Sequence, residues 1–245
     1  MSDFSALKRI ETNGPEGHGL TLWPEMNPAD LAAGAPVQKG HLYDEDAGED
    51  YSAGVWDCTA FDDKPGPYSV DEFMLLLEGT VVMVMPEGEE VVVSAGEAFV
   101  IPKGFECQWK MPETVRKIFM ILDGAAPGTA NNPSLSRITK LTKEDLTDTA
   151  RTATPAVSSR EVHFLNHDAR MSVYTETFPK GSQGPAPSAD RQIVHVVAGD
   201  VAFSDDPAHR FVAGESFYLS PGHSLSWSVS AGTRLLVSSC RPPAA

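Results

Sequence analysis

The sequence predicts an all-β protein: two consecutive barrels of the sandwich or jelly-roll kind, preceded by an N-terminal arm. Three observations carry this prediction. Glycine and proline, 20 and 19 of 245 residues, punctuate the chain at short intervals, which suits short strands joined by tight turns. Helical signal is confined to two brief segments. The second half of the chain repeats landmarks of the first.

Residues 1 to 35 form the arm. Within it, Asn27-Pro28-Ala29-Asp30-Leu31-Ala32-Ala33-Gly34 combines a cap, a first-turn proline and a terminal glycine, and predicts one short helix. Seven strands are expected at 53–61, 72–78, 80–86, 89–93, 97–101, 105–110 and 114–122. Turn chemistry separates them at Glu78-Gly79, Pro86-Glu87-Gly88, Ala95-Gly96 and Pro102-Lys103-Gly104. Thr142-Lys143-Glu144-Asp145-Leu146 predicts a second short helix, capped by Thr142. Neither helix can serve as the crossover that a parallel sheet requires, so doubly wound α/β folds are excluded.

The repeat is carried by its turns, with one two-residue slip. Ala95-Gly96-Glu97-Ala98-Phe99 returns as Ala213-Gly214-Glu215-Ser216-Phe217, and Trp109 returns as Trp227, both offset by 118. Leu77-Glu78-Gly79 returns as Val197-Ala198-Gly199, offset by 120. The slip falls in the hairpin from Met85 to Ser94, which is shorter near Asp205-Asp206-Pro207. A period this long means a duplicated domain and not a solenoid. The expected domains are 36–124 and 156–245, with a linker at 125–155.

Composition excludes several function classes. Lys and Arg number 19 against 34 Asp and Glu, a net charge of −15. A nucleic-acid or anionic-membrane partner requires the opposite sign. Apolar runs such as Phe73 to Leu77 are far shorter than a bilayer span. The first residues, MSDFSALKRIE, lack the apolar core of an export signal, so a cytoplasmic location is expected. Cys58, Cys107 and Cys240 show no CxxC spacing, which excludes a four-thiolate zinc site.

Two motif skeletons identify the family this sequence resembles. Glu72, six residues and Gly79 match the end of the first cupin motif. Gly96, Pro102, Lys103 and Gly104 match the second, with Cys107 in its histidine place. Gly54-Val55-Trp56-Asp57-Cys58-Thr59, Gly104-Phe105 and Trp109 narrow the resemblance to the ureidoglycine-aminohydrolase-type cupins. The resemblance implies a bicupin of double-stranded β-helix barrels. In metal-binding cupins, His-x-His, the Glu and a late His hold a transition metal. Here the His-x-His places fall at Pro65 to Tyr68, where there is no His, and only Glu72 and Cys107 stand at ligand places. In the second repeat the Glu place is Gln192, the preceding Pro185-Ala186-Pro187-Ser188 has no His, and the late His place is Leu225. The second barrel therefore reads as metal-free.

On the strand beginning at 72, Glu72, Met74 and Leu76 share the face that the resemblance makes interior, while Phe73, Leu75 and Leu77 share the other. Both faces are apolar, so the outer one is expected to be covered by the second barrel, the N-terminal arm or another subunit in a homodimer. Glu72 is the candidate catalytic acid or base; the bland reading ties it to Tyr68 or a backbone amide. Cys107 reads as a ligand, a nucleophile or a small buried hydrophobe. Cys58 would complete a Glu72, Cys107, Cys58 metal set if it pointed inward. Trp109 and Trp227 project inward as an aromatic wall or as filling. Trp56, Tyr68, Met74, Gln192 and His223 complete the candidate ligand-binding set, His223 at a barrel rim. His195 faces away from Gln192, and His41 and His163 read as structural.

Three functions follow from these residues. The first is a bicupin that binds a small organic metabolite in the first barrel without a cofactor, as a carrier, a sensor or a catalyst of acid–base turnover. The second is a divalent-transition-metal enzyme with a degenerate Glu/Cys site. The third is a non-catalytic oligomeric or partner-binding protein.

Overall fold

The computed structural model describes residues 4–48, 50–124, 135–147, 158–179, 188–223 and 225–242. Most of the expected linker, and the stretch 185–187, lie outside the described residues. The fold is almost wholly β, as the turn spacing implies. Among the described residues the one α-helix is the five-residue Lys143–Thr147. No helix among them is long and apolar enough to cross a membrane.

The chain divides into two compact units, residues 11–142 with 166–168, and residues 1–10 with 143–165 and 169–245. In the first, all seven expected strands are present, from Tyr51–Cys58 to Val115–Leu122, with ends within three residues of expectation. One of its sheets has seven strands; Ala98–Ile101, Asp71–Glu78, Val115–Leu122, Tyr51–Cys58 and Gln38–Asp46 run in that order. The facing sheet orders Glu90–Ser94, Thr80–Val84, Glu106–Met111, Phe61–Asp63 and Leu31–Gly34. Between them lies a core of Met74, Leu76, Val81, Met83, Phe99, Ile101, Trp109 and Phe119, with Cys58 and Cys107. The interior parity of Glu72, Met74 and Leu76 is thus realised.

One expectation is corrected, and one strand was not foreseen. The segment 27–34 is not a helix. Asn27 Oδ1 accepts from the Ala29 amide at 3.1 Å and closes a single 3-10 turn, Pro28–Asp30. The chain then extends as Leu31–Gly34 because pairing with Phe61–Asp63 outweighs the local helical signal. Strand Gln38–Asp46 was not expected, since QKGHLYDED has no apolar alternation; it owes its form to its long antiparallel pairing with Tyr51–Cys58.

The second unit has a six-stranded sheet in which Leu7–Ile10, Ser216–Leu219, Arg191–Ala198, Arg234–Cys240, Met171–Thr177 and Ser159–Leu165 follow one another. A three-stranded sheet, Arg210–Val212, Asp200–Ala202 and Ser228–Val229, accompanies it. Leu7–Ile10, part of the expected arm, is an antiparallel edge strand on Ser216–Leu219.

The repeated turn glycines are conformationally required. Gly79 and Gly199 have φ of 79° and 76°. A Cβ on Gly79 would stand 2.3 Å from the carbonyl oxygen of Thr114, and one on Gly199 2.3 Å from Thr233 Oγ1. Gly88, at φ 85°, has nothing within 4 Å. Gly79→Ala is therefore expected to cost about 1–3 kcal/mol or more, and Gly88→Ala only the lower end of that range. Urea midpoints at constant m-value check the ranking.

Candidate functional site

The site of the first unit is built on three adjacent strands. Asp71–Glu78 supplies Glu72 and Met74, Val115–Leu122 supplies Lys117, and Tyr51–Cys58 supplies Trp56. Lys117 lies opposite Trp56 on one neighbour and Leu76 on the other. Its parity matches Val115 and Phe119, both core residues, so a cation enters an otherwise apolar interior.

The ion pair this creates is the centre of the site. Lys117 Nζ donates to Glu72 Oε1 at 2.8 Å, with side-chain exposures of only 8% and 4%. The Tyr68 hydroxyl donates to Glu72 Oε2. Burial first, and then the adjacent Glu72 charge, raise the Tyr68 pKa well above its usual range, so Tyr68 remains a phenol donor. The ammonium also stands 4.6 Å from the Trp56 ring centroid and 4.8 Å from that of Trp109, and 3.2 Å from Met74 Sδ. Two aromatic faces and one carboxylate thus fix a single cation. The Trp56 indole donates to Gln38 Oε1 at 3.0 Å, and Gln38 Nε2 donates to the Pro24 carbonyl at 2.6 Å.

Two cavities share Lys117 and Trp56. The larger, about 610 Å³, is lined by Trp23, Pro24, Gln38, Leu42, Ser52, Trp56, Glu72, Lys117, Phe119 and others. The smaller, about 310 Å³, is lined by Asp63, Tyr68, Trp109, Phe61, residues 26–31 in part, and again Trp56 and Lys117. Asp63 Oδ1 accepts from the Trp109 amide at 2.7 Å. Burial nevertheless pushes its carboxyl up to about 6, with Asp62 adding to the rise.

Each residue named from the sequence can now be placed. Trp56, Tyr68, Glu72, Met74 and Trp109 come together. Glu72, the candidate base, has both carboxylate oxygens engaged, which makes it an anchor and not a free proton acceptor. Cys107 and Cys58 are both buried in the same core. Burial pushes each thiol up to about 12, and Asp63 and Glu106 add to the rise at Cys107. Neither offers a thiolate at neutral pH. Among the described residues no three His, Cys, Asp or Glu side chains are grouped so as to hold a metal. The Glu72, Cys107, Cys58 set therefore does not fit a transition ion.

Gln192, His223 and Trp227 belong to the second unit. Gln192 Nε2 donates to the Tyr174 hydroxyl at 3.3 Å. Trp227 stacks on Phe203, centroids 5.7 Å apart, and packs edge-on against Phe178 and Phe217, so it fills core. His223 is not at an open rim: it is buried, and neither ring nitrogen has a hydrogen-bond partner among the described residues. At 7% exposure the ring is not presented at a pocket mouth. Burial lowers its pKa. His195 is half-buried, with Nδ1 2.9 Å from Ser216 Oγ.

Lys117, Asp63 and Gln38 were missed in the sequence. Parity with Val115 and Phe119 was the available signal for Lys117. Asp63 lies on a three-residue strand too short to show any period.

Comparison with known proteins agrees with this architecture. Residues 45–119 match the EutQ-like cupin domain family, a stretch that includes Trp56, Glu72, Trp109 and Lys117. Curated protein sequences give no match. A protein of unknown function from Pseudomonas syringae pv. tomato is similar in structure, with TM-score 0.64, 16% identity, and coverage of 96% of this chain and 99% of that one. A putative dioxygenase from Nostoc punctiforme aligns at TM-score 0.61 and 14% identity, over 96% and 82% of the two chains. A putative glyoxylate-induced protein from Pseudomonas aeruginosa aligns at 0.60 and 13%, over 100% and 92%. At these identities the likeness is one of fold.

Proposed function

We propose that the protein is a bicupin whose N-terminal barrel binds a small organic metabolite on an organic anchor, the Glu72–Lys117 pair, in place of a metal centre. The observation that carries this reading is that pair itself: a buried 2.8 Å ion pair opening onto a cavity of about 610 Å³. That volume suits a small ligand, and its lining is mostly apolar with a few convergent polar groups, the usual composition of a ligand site. Lys117 orients the ligand, Tyr68 and Glu72 hold Lys117, and Trp56 and Phe119 supply apolar walls. The motif resemblance to ureidoglycine-aminohydrolase-type cupins supports a small nitrogenous acid or amide as the ligand, bound without metal chemistry.

A thermal-shift screen of small acids, amines and amides tests the reading. At least one compound is expected to raise Tm, with its affinity reduced tenfold or more in Ser52→Phe, which fills the larger cavity. A screen without hits, or a hit that binds Ser52→Phe equally well, contradicts it.

A further inference from the structure

The smaller chamber carries a feature that the anchor does not explain. Trp109 is 4% exposed, and its indole nitrogen is buried without a hydrogen-bond partner among the described residues. Buried indole N–H groups normally find an acceptor. Trp109 lines a chamber of about 310 Å³, large enough for a molecule of several heavy atoms. The same chamber is lined by Asp63, whose Oδ1 is committed to the Trp109 amide, leaving its second oxygen for a guest. The ionisable groups facing the chamber are Lys117, Tyr68, Asp63 and Asp30. Glu72 cancels Lys117, and Tyr68 is a neutral donor to Glu72. What remains is the acidity of Asp63 and Asp30, beside the aromatic faces of Trp56, Trp109 and Phe61. An anion would meet carboxylates with no free cation to offset them, whereas a donor or a positive charge meets both carboxylates and π-faces.

We infer that this chamber is a second ligand compartment, which takes a small uncharged or cationic molecule whose oxygen accepts from the Trp109 indole while its N–H or O–H donates to Asp63. The compartment goes beyond the anchor reading, on which it rests only in taking the N-terminal unit to bind ligands. Metabolite binding lost in Ser52→Phe with the indole response intact concerns the larger cavity. The reverse concerns this one.

Indole ¹H–¹⁵N spectra test the inference. Trp109 is one of four tryptophans, and its resonance is assigned by its disappearance in Trp109→Phe, which keeps a ring over Lys117. Millimolar 3-amino-1-propanol is expected to shift that resonance downfield. Propylammonium, which has no acceptor, and propionate, an anion, are expected to leave it in place. Asp63→Asn retains the acceptor for the Trp109 amide and is expected to weaken the aminopropanol response about tenfold. A shift with propionate, no shift with aminopropanol, or an unchanged response in Asp63→Asn overturns the inference. A resonance insensitive to all three probes would mean that the chamber holds solvent alone.

Discussion

Lys117→Met lowers the stability of the N-terminal unit by about 3–5 kcal/mol, and adding Glu72→Leu to the same chain returns most of that loss. The single substitution leaves a carboxylate with 4% side-chain exposure and only the Tyr68 hydroxyl as a partner. Desolvation of an unpaired charge is the expensive part; a buried pair and a buried apolar contact of similar volume are close in free energy. Methionine keeps the length that packs between Trp56 and Trp109, so the loss reports charge and not a cavity. Urea denaturation of protein labelled with fluorotryptophan reads this directly, because Trp23, Trp56 and Trp109 lie in one unit and Trp227 in the other. Equal losses in the single and double variants would mean that the pair is not a buried electrostatic unit.

Acidification from pH 7 to about 4.5 moves the two units in opposite directions. In the C-terminal unit burial pulls the His195 pKa from 6.5 down to about 4, and lowers that of His223. A histidine with a depressed folded pKa contributes fully above its unfolded pKa. As pH falls from 6.5 towards 4 the unfolded chain binds the extra proton and stability declines. A shift of this size corresponds to about 3 kcal/mol for His195. In the N-terminal unit burial raises Asp63 from 3.8 to about 6, and raises Asp71 also. These carboxyls bind protons in the folded state first, so the unit gains stability as pH falls from 6 towards 3.8, by a similar magnitude. Urea midpoints at pH 7 and 4.5, read separately at Trp227 and at Trp56 or Trp109, are expected to diverge. His195→Gln should flatten the first trend and Asp63→Asn the second. Parallel movement of all four resonances would contradict these assignments.

Much of the fold was legible because it depends on backbone conformations that few residues supply. Gly79 and Gly199, and Gly96 and Gly214, all adopt positive φ, from 76° to 92°, and the repeat was visible through them. The inward face of Asp71–Glu78 was legible only through the motif resemblance, because both of its faces are apolar and buried. The segment 27–34 misled because a capping Asn and a first-turn Pro serve a 3-10 turn as well as an α-helix. The site was only partly legible. Tyr68 as the partner of Glu72 was one of two readings the sequence left open, beside a backbone amide, and the structure selects it. Lys117 lies 45 residues from Glu72 in sequence; the register of Val115–Leu122 on Asp71–Glu78 sets it opposite Leu76, and its long side chain reaches the carboxylate from there. The absence of His-x-His signalled that the family's metal set was broken. It did not signal that an ammonium engages the carboxylate.

The proposed replacement of a metal ion by the Lys117 ammonium is the centre of the account, and metal content tests it most directly. Untagged protein would be purified from cells grown in mixed Mn, Fe, Ni and Zn, beside Glu72→Ala and Cys107→Ala. The account predicts no near-stoichiometric transition metal in any of the three. One metal per chain in the parent protein, lost in both variants, would contradict it and make the Glu72–Lys117 pair a secondary feature of a metal site.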